Sequence, residues 1–369
     1  MEKYFLGSNT HCGFCGFYDE TTRGINQVYL LKGGAGTGKS SLMKKVLKVA
    51  LDKGCHCESW HCSGDTNSLD GVFILDNDTA VIDATSPHAV EPWIPVLKDD
   101  IVNLLEYVDK GKIKKYREII EKLSNDKKLC FSSGYEHLNI AYCHYAQNRR
   151  MVAMTMNDDL ILSKAKEFAR DILDDLSCKN DLDESIVHCD ESVENHHNKN
   201  HHKDFAKGVE KRFFRAITPD GVVNFFDNFK DKNLWHIKGE SASVDLFLNV
   251  VLQQILNAKL QGEKIKIVVF SNPLDATQLD GFMVGDTIVV GVDCTGAMVY
   301  DLRWYEGDFD KYAVSRAKMK MKEEIDLAVD YFAKARSAHL AIEKYYTSAM
   351  DFDGINRLTN QLLCKIFES

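Results

Sequence analysis

Residues Gln27 to Met43 read QVYLLKGGAGTGKSSLM, and this run narrows the possible folds more than any other part of the chain. Val28, Tyr29, Leu30 and Leu31 are apolar and suit a strand buried on both faces. Gly33-Gly34-Ala35-Gly36-Thr37-Gly38-Lys39-Ser40 then fits G-x-x-x-x-G-K-[ST] in full. After it, Leu42, Val46, Val49 and Ala50 share one helical face, and Gly54 ends the helix. Strand, glycine loop and helix are the context that this phosphate-binding pattern requires. The glycines let backbone N–H groups curl inward at a helix N-terminus, where they form a nest for phosphate oxygens. Lys39 is expected to reach the β- and γ-phosphates, and Ser40, followed by Ser41, to hold Mg²⁺ through its hydroxyl.

A second stretch, WHIKGESASVDLFLN (Trp235–Asn249), has the same outline without the same chemistry. Internal alignment explains it. KYFLGSNTHCGFCGFYD (Lys3–Asp19) matches KRFFRAITPDGVVNFFD (Lys211–Asp227), and Lys32-Gly33 matches Lys238-Gly239. DTNSLDGVFILDNDTAVIDAT (Asp65–Thr85) aligns without gaps to DATQLDGFMVGDTIVVGVDCT (Asp275–Thr295), and KIKKYREII (Lys112–Ile120) to KMKMKEEID (Lys318–Asp326). The chain reads as a tandem duplication. In that frame Gly38, Lys39 and Ser40 become Val244, Asp245 and Leu246. An aspartate adds negative charge where a triphosphate would sit, and a leucine has no oxygen for Mg²⁺. The second loop is expected to be a relic.

A phosphate loop needs an acidic residue at the end of a neighbouring strand for the Mg²⁺ shell. Asp83, ending TAVID, is the first choice, and Asp76, ending VFILD, the second. Ala84 follows Asp83, so no adjacent glutamate is present to activate water, and Asp65, His88 and Glu91 are the candidate bases. Asp65, Asp70 and Asp83 align with Asp275, Asp280 and Asp293 in the half that lost its lysine, which fits turn or cap roles as well as catalysis. His88 has no such counterpart. Arg23, Arg149 and Arg150 are candidate arginine fingers. Cys12 and Cys15 form a C-x-x-C, and with Cys55, Cys57 and Cys62 they could make a zinc site. The repeat favours buried thiols instead, because the C-x-x-C positions become Asp220 and Val223.

The chain has 369 residues, 44% of them hydrophobic and 27% charged, enough for two full cores and without a membrane-length apolar run. No signal-peptide pattern opens it and its 11 cysteines show no disulfide framework, so a reducing, cytoplasmic setting is expected. A formal charge of -9 makes nucleic acid an unexpected partner, although KGKIKKYR (Lys110–Arg117) and RAKMKMK (Arg316–Lys322) are locally basic. A protein partner or a homo-oligomer stays open. ENHHNKNHHKD (Glu194–Asp204) follows an acidic run and reads as an exposed linker.

FLGSNTHCGF, GGAGTGKSSLMKK, DTNSLDGV, DATSPHAVEP and the late YYTSAMDF (Tyr345–Phe352) resemble a group of two-half P-loop proteins from Firmicutes, usually labelled ATPase or nucleotide kinase. The resemblance runs nearly end to end and implies a P-loop NTPase fold and ATP binding, without naming a substrate. The expected fold is therefore α/β: tandem P-loop NTPase-like domains, each a parallel sheet flanked by helices with a helical extension. Residues 1–180 form the first, 181–206 the linker and 207–369 the degenerate second. The expected ligand is Mg²⁺-ATP, with ATP a default because no guanine-reading N-K-x-D pattern is present. Hydrolysis by one competent site is the leading expectation. Phosphoryl transfer to a nucleoside or nucleotide, and a non-hydrolysing switch, are the alternatives.

Overall fold

Alternation of apolar residues along short segments produces two copies of one strand plan, seen in a computed structural model that describes residues 1–179, 209–259 and 266–367. The first half runs β1 (Glu2–Tyr4), β2 (Gly7–Thr10), β3 (Gly13–Gly16), α1 (Tyr18–Arg23), β4 (Gln27–Lys32), α2 (Lys39–Asp52), β5 (Cys57–His61), β6 (Leu69–Ile74), β7 (Thr79–Asp83), β8 (Asp99–Asn103), α3 (Lys110–Lys114), α4 (Arg117–Ala153) and α5 (Asp158–Lys179). The second runs β9 (Val209–Arg212), β10 (Arg215–Thr218), β11 (Gly221–Asn224), β12 (Asn233–Lys238), α6 (Ser241–Lys259), β13 (Ile267–Ser271), β14 (Leu279–Val284), β15 (Thr287–Val290), β16 (Met298–Asp301), α7 (Lys311–Ser348) and α8 (Phe352–Phe367). One six-stranded sheet has the order β1-β5-β6-β7-β4-β8 and the other β9-β13-β14-β15-β12-β16, the same order element for element. The duplication is therefore structural as well as textual. The acidic and His-rich linker lies outside the described residues.

The sheets are mixed, which corrects the expectation of parallel ones. β6 runs antiparallel to β5 and β7, and β14 antiparallel to β13 and β15. The cause is loop length: only Leu75–Asp78 separate β6 from β7, too short for the crossover that a parallel pair needs. β4 remains parallel to both neighbours, β7 and β8.

Each sheet buries its two faces differently. Tyr29 and Leu31 of β4 face helices, packing with Leu42, Val46 and Ile355. Val28 and Leu30 point the other way and meet the second sheet through Val268, Phe270, Ile288 and Val290. The architecture is thus helices, sheet, sheet, helices, with a shared core between the sheets. Phe5 and Phe213 exchange reciprocal backbone hydrogen bonds of 2.8 and 2.9 Å where the two halves meet.

The helical extensions cross over. α4 and α7 pack antiparallel along their length: Tyr116 stacks near Tyr345, Phe131 near Phe332, and Val152 packs with Val314. Beyond them, α5 buries Ile161, Phe168 and Ile172 against α6 and the second sheet. α8 returns the exchange, burying Ile355, Leu362 and Ile366 against α2 and the first sheet. The basic stretches lie on α3, α4 and α7 as exposed faces, with Lys318 paired to Glu240 and Lys322 to Asp326. Among the described residues, no helix is long and apolar enough to cross a membrane.

Candidate functional site

The residues between β4 and α2 form a loop because glycines occupy the positions that need positive φ. Gly36 has φ +71° and Gly38 φ +91°, a region that side-chain-bearing residues avoid. α2 then begins at Lys39 with no side-chain cap and no acidic residue in its first turn. Its leading N–H groups are left as donors for an anion. Lys39 Nζ donates to its own loop, at 2.6 Å to the Gly33 carbonyl and 2.8 Å to that of Gly34, and lies 3.5 Å from Asp83 Oδ2. Ser40 Oγ accepts from the Leu69 N–H at 3.0 Å. Thr85, just past β7, both accepts from the Gly33 N–H and donates to the Gly33 carbonyl, tying the loop to the Asp83 strand.

Asp83 ends β7 directly opposite Leu31 of β4, which places it at the carboxyl end of the strand beside the loop. Burial raises its carboxyl above the ordinary range; the Lys39 ammonium opposes the rise and the Asp70 carboxylate adds to it. The strand register also corrects its alignment. Leu30 pairs with Ile82 in the first half and its equivalent His236 pairs with Val290 in the second, so Gly291, and not Asp293, stands where Asp83 does. The β6–β7 turn is longer than its counterpart, and an ungapped alignment slips there. Asp293 is solvent-exposed beside His236. The second half thus lacks both the acidic residue and the lysine.

The relic shows what those losses do. α6 starts at Ser241, shortly after β12 ends, so residues equivalent to the loop have joined the helix. Ala242 and Val244 replace Gly36 and Gly38 and favour helical φ, so the helix extends back through the former loop. The Val244 side chain fills the space in front of Gly291, where a Cβ would collide with it. Buried Glu306 accepts from the Glu240 N–H and, at 2.6 Å, from the Ser243 hydroxyl, placing a carboxylate at the N-terminus of α6. Asp245 pairs with Arg149 at 2.9 Å. Arg149, a candidate finger by sequence, therefore belongs to the relic, and Arg23 pairs with Asp19 and stacks on Trp93 at the surface. Arg150 follows Arg149 near the end of α4, at that same relic end.

The remaining candidates separate by position. Asp76 pairs with His56 at the far end of β6 from the loop and is exposed. Glu91 is exposed and pairs with Lys32 at 3.1 Å. Asp65 caps its own turn, accepting from Ser68 Oγ at 2.6 Å, while its charge faces the loop mouth. His88 is buried, 3.4 Å from Asp70. Cys12 sits at an exposed hairpin turn, and Cys55 and Cys57 lie at the opposite end of β5 from Cys62, so the proposed cysteine set does not converge.

Sequence reasoning missed what α7 brings. Thr347 donates to the Gly36 carbonyl at 3.4 Å, and a Cβ on Gly36 would stand 2.6 Å from the Glu343 carbonyl. Burial pushes the Glu343 carboxyl up, opposed by the Gly36 N–H and the Lys39 ammonium. His339, one turn earlier, is lowered to about 4 by burial and by Lys127 and Lys39, so it stays neutral. No motif marks these residues; the YYTSAMDF block, which overlaps the end of α7, was the nearest signal. A charged, open concavity at Met1–Lys3 and Phe225–Lys232 lies at the amino ends of the strands, away from the loop. No family model, curated protein or solved structure matches the chain.

Proposed function

We propose that the first half binds Mg²⁺-ATP at the glycine loop and hydrolyses it, with the second half serving as a non-binding partner. The observation that carries this reading is a contrast within one molecule. An uncapped helix N-terminus, Lys39 and Asp83 converge in the first half, and each is replaced or blocked in the second. The bound nucleotide supplies the phosphoanhydride bond that is broken. Loop N–H groups and the Lys39 ammonium stabilise phosphate charge, and Ser40 and Asp83 hold the Mg²⁺ shell. Glu343, on α7 beside Gly36, is the carboxylate we assign to hold and deprotonate a water; its raised affinity for protons supports that role.

The test is phosphate release from Mg²⁺-ATP by wild type and Lys39→Ala, with calorimetric binding on the same samples. Turnover that disappears with Lys39 supports a single-site ATPase. Absence of ATP binding by the wild type refutes the proposal. A second reading, an ATP-dependent switch without hydrolysis, is favoured by the close contact of α7 with Gly36; binding without turnover supports it. Turnover that appears only with added nucleosides favours a kinase.

A further inference from the structure

We propose that Cys62, Asp70 and His88 form a binding site for a zinc-like transition metal ion. Cys62 follows β5, Asp70 lies at the start of β6, and His88 lies beyond β7, so the β5–β6 turn, the start of β6 and the segment after β7 converge at one end of the sheet. Their ligand atoms all lie within 4.8 Å of one another, and Asp70 and His88 are buried. Tetrahedral bonds of about 2.0–2.3 Å put ligand atoms roughly 3.5 Å apart, so modest side-chain rotation closes the cluster on an ion.

The second half gives the physical reason for a cation here. A buried carboxylate needs a positive partner. Asp280, the equivalent of Asp70, has one: Arg215 donates through both Nε and Nη2, the latter at 2.8 Å, and Asn272 adds an amide at 2.9 Å. In the first half these partners become Gly7 and Cys62. The Phe14 ring occupies the space next to Gly7, and among the described residues no lysine or arginine takes the arginine's place. Among the described residues, Asp70 keeps the Tyr18 hydroxyl at 2.8 Å, His88 Nε2 at 3.4 Å and the Cys62 thiol as its partners, with no guanidinium or ammonium beside it. The other ring nitrogen of His88, Nδ1, is buried with no hydrogen-bond partner. A guanidinium and an amide have thus been exchanged for a thiol and an imidazole around the same carboxylate.

That donor set selects the ion. Thiolate, imidazole and carboxylate suit Zn²⁺ or Co²⁺ and are poor for Mg²⁺ or Ca²⁺, which prefer oxygen throughout. The Cys62 thiol gives its proton to solvent on binding. Three protein ligands leave a fourth position for water. The ion would cross-link the β5–β6 turn, which carries Asp65, to the segment after β7. The site stands independently of nucleotide binding.

The experiment titrates chelator-treated, reduced full-length protein with Co²⁺, followed by Zn²⁺ competition. Because His196, His197, His201 and His202 also attract such ions, all samples carry these four as asparagine. One equivalent of Co²⁺ per chain is expected, with a thiolate-to-cobalt charge-transfer band that Zn²⁺ removes. Cys62→Ser should abolish the band, and His88→Gln should weaken binding at least tenfold. Cys12→Ser, at an exposed hairpin turn and not among the three ligands, should change neither. Absence of stoichiometric binding, or a band unchanged in Cys62→Ser, overturns the proposal. Should His88→Gln fail to fold, by circular dichroism, Cys62→Ser alone decides the matter.

Discussion

Replacing Arg212 with methionine should separate the halves energetically. Arg212 is fully buried on β9. Its Nε and Nη2 donate to Glu58 Oε2 at 3.2 Å, and Nη2 also reaches Glu210 at 3.2 Å. Nη1 donates to Thr21, and the guanidinium lies 5.6 Å from the Trp60 ring. Glu58, on β5 of the other half, accepts in addition from Trp60 Nε1 at 3.0 Å and Lys266 Nζ at 3.1 Å. Burial alone would raise the Glu58 carboxyl, but Arg212, Lys266 and these hydrogen bonds outweigh it and hold the value at about 2 instead of 4.5.

A depression of that size corresponds to about 3.5 kcal/mol in full, at about 1.4 kcal/mol per unit, of which about 3 kcal/mol is lost by pH 2. Breaking a buried pair by removing one partner costs about 3–5 kcal/mol. Arg212→Met should therefore lose about 3–5 kcal/mol near neutral pH in urea unfolding. The pH dependence has a definite sign. A depressed carboxyl stabilises fully above its unfolded value and progressively less as pH falls through its folded value. Wild type should therefore lose about 3 kcal/mol between roughly pH 4.5 and 2 that Glu58→Gln does not lose. Parallel acid limbs for these two proteins, or a cost under about 1 kcal/mol for Arg212→Met, would refute the assignment.

Gly36→Ala forces a side chain into positive φ and against the α7 backbone; a loss of about 1–2 kcal/mol in denaturant midpoint analysis, together with weakened ATP binding, is expected. Glu343→Gln should retain ATP binding while phosphate release falls about a hundredfold or more, and unchanged release would remove Glu343 from the reaction. Leu362→Ala, at a buried contact of α8 with the first sheet, should cost about 2–5 kcal/mol and lower the thermal midpoint, although the residue lies in the second half of the sequence.

The glycine loop was legible because positive φ at Gly36 and Gly38 leaves few alternatives to glycine, and the relic because Val244 and Asp245 remove both the geometry and the charge. The duplication was legible from blocks in the same order. Strand direction was not, because apolar alternation is identical in parallel and antiparallel strands, and only the short β6–β7 turn revealed it. The pairing of Asp83 with Asp293 failed at that same turn, where a length difference is invisible without the register. Glu343 and the exchange of α5 and α8 depend on contacts between distant segments. An amphipathic helix shows that it has an apolar face but not which sheet that face will cover.

The exchange also makes the second half necessary to the first, whatever its own loop does. α8 covers a face of the first sheet that would otherwise be apolar and wet, so the first core is incomplete without the second half's last helix. α7 is a rod of 38 residues, about 57 Å long at 1.5 Å per residue. At one end Val314 packs with Ala242 of the relic and with Val152; at the other, Thr347 touches Gly36. What fills the relic, Glu306 on the start of α6 and Arg149 on Asp245, therefore fixes the near end of the rod whose far end carries Glu343. The second loop, filled by its own side chains, serves as an anchor for α7, and an anchor needs no counterpart of Lys39 or Asp83.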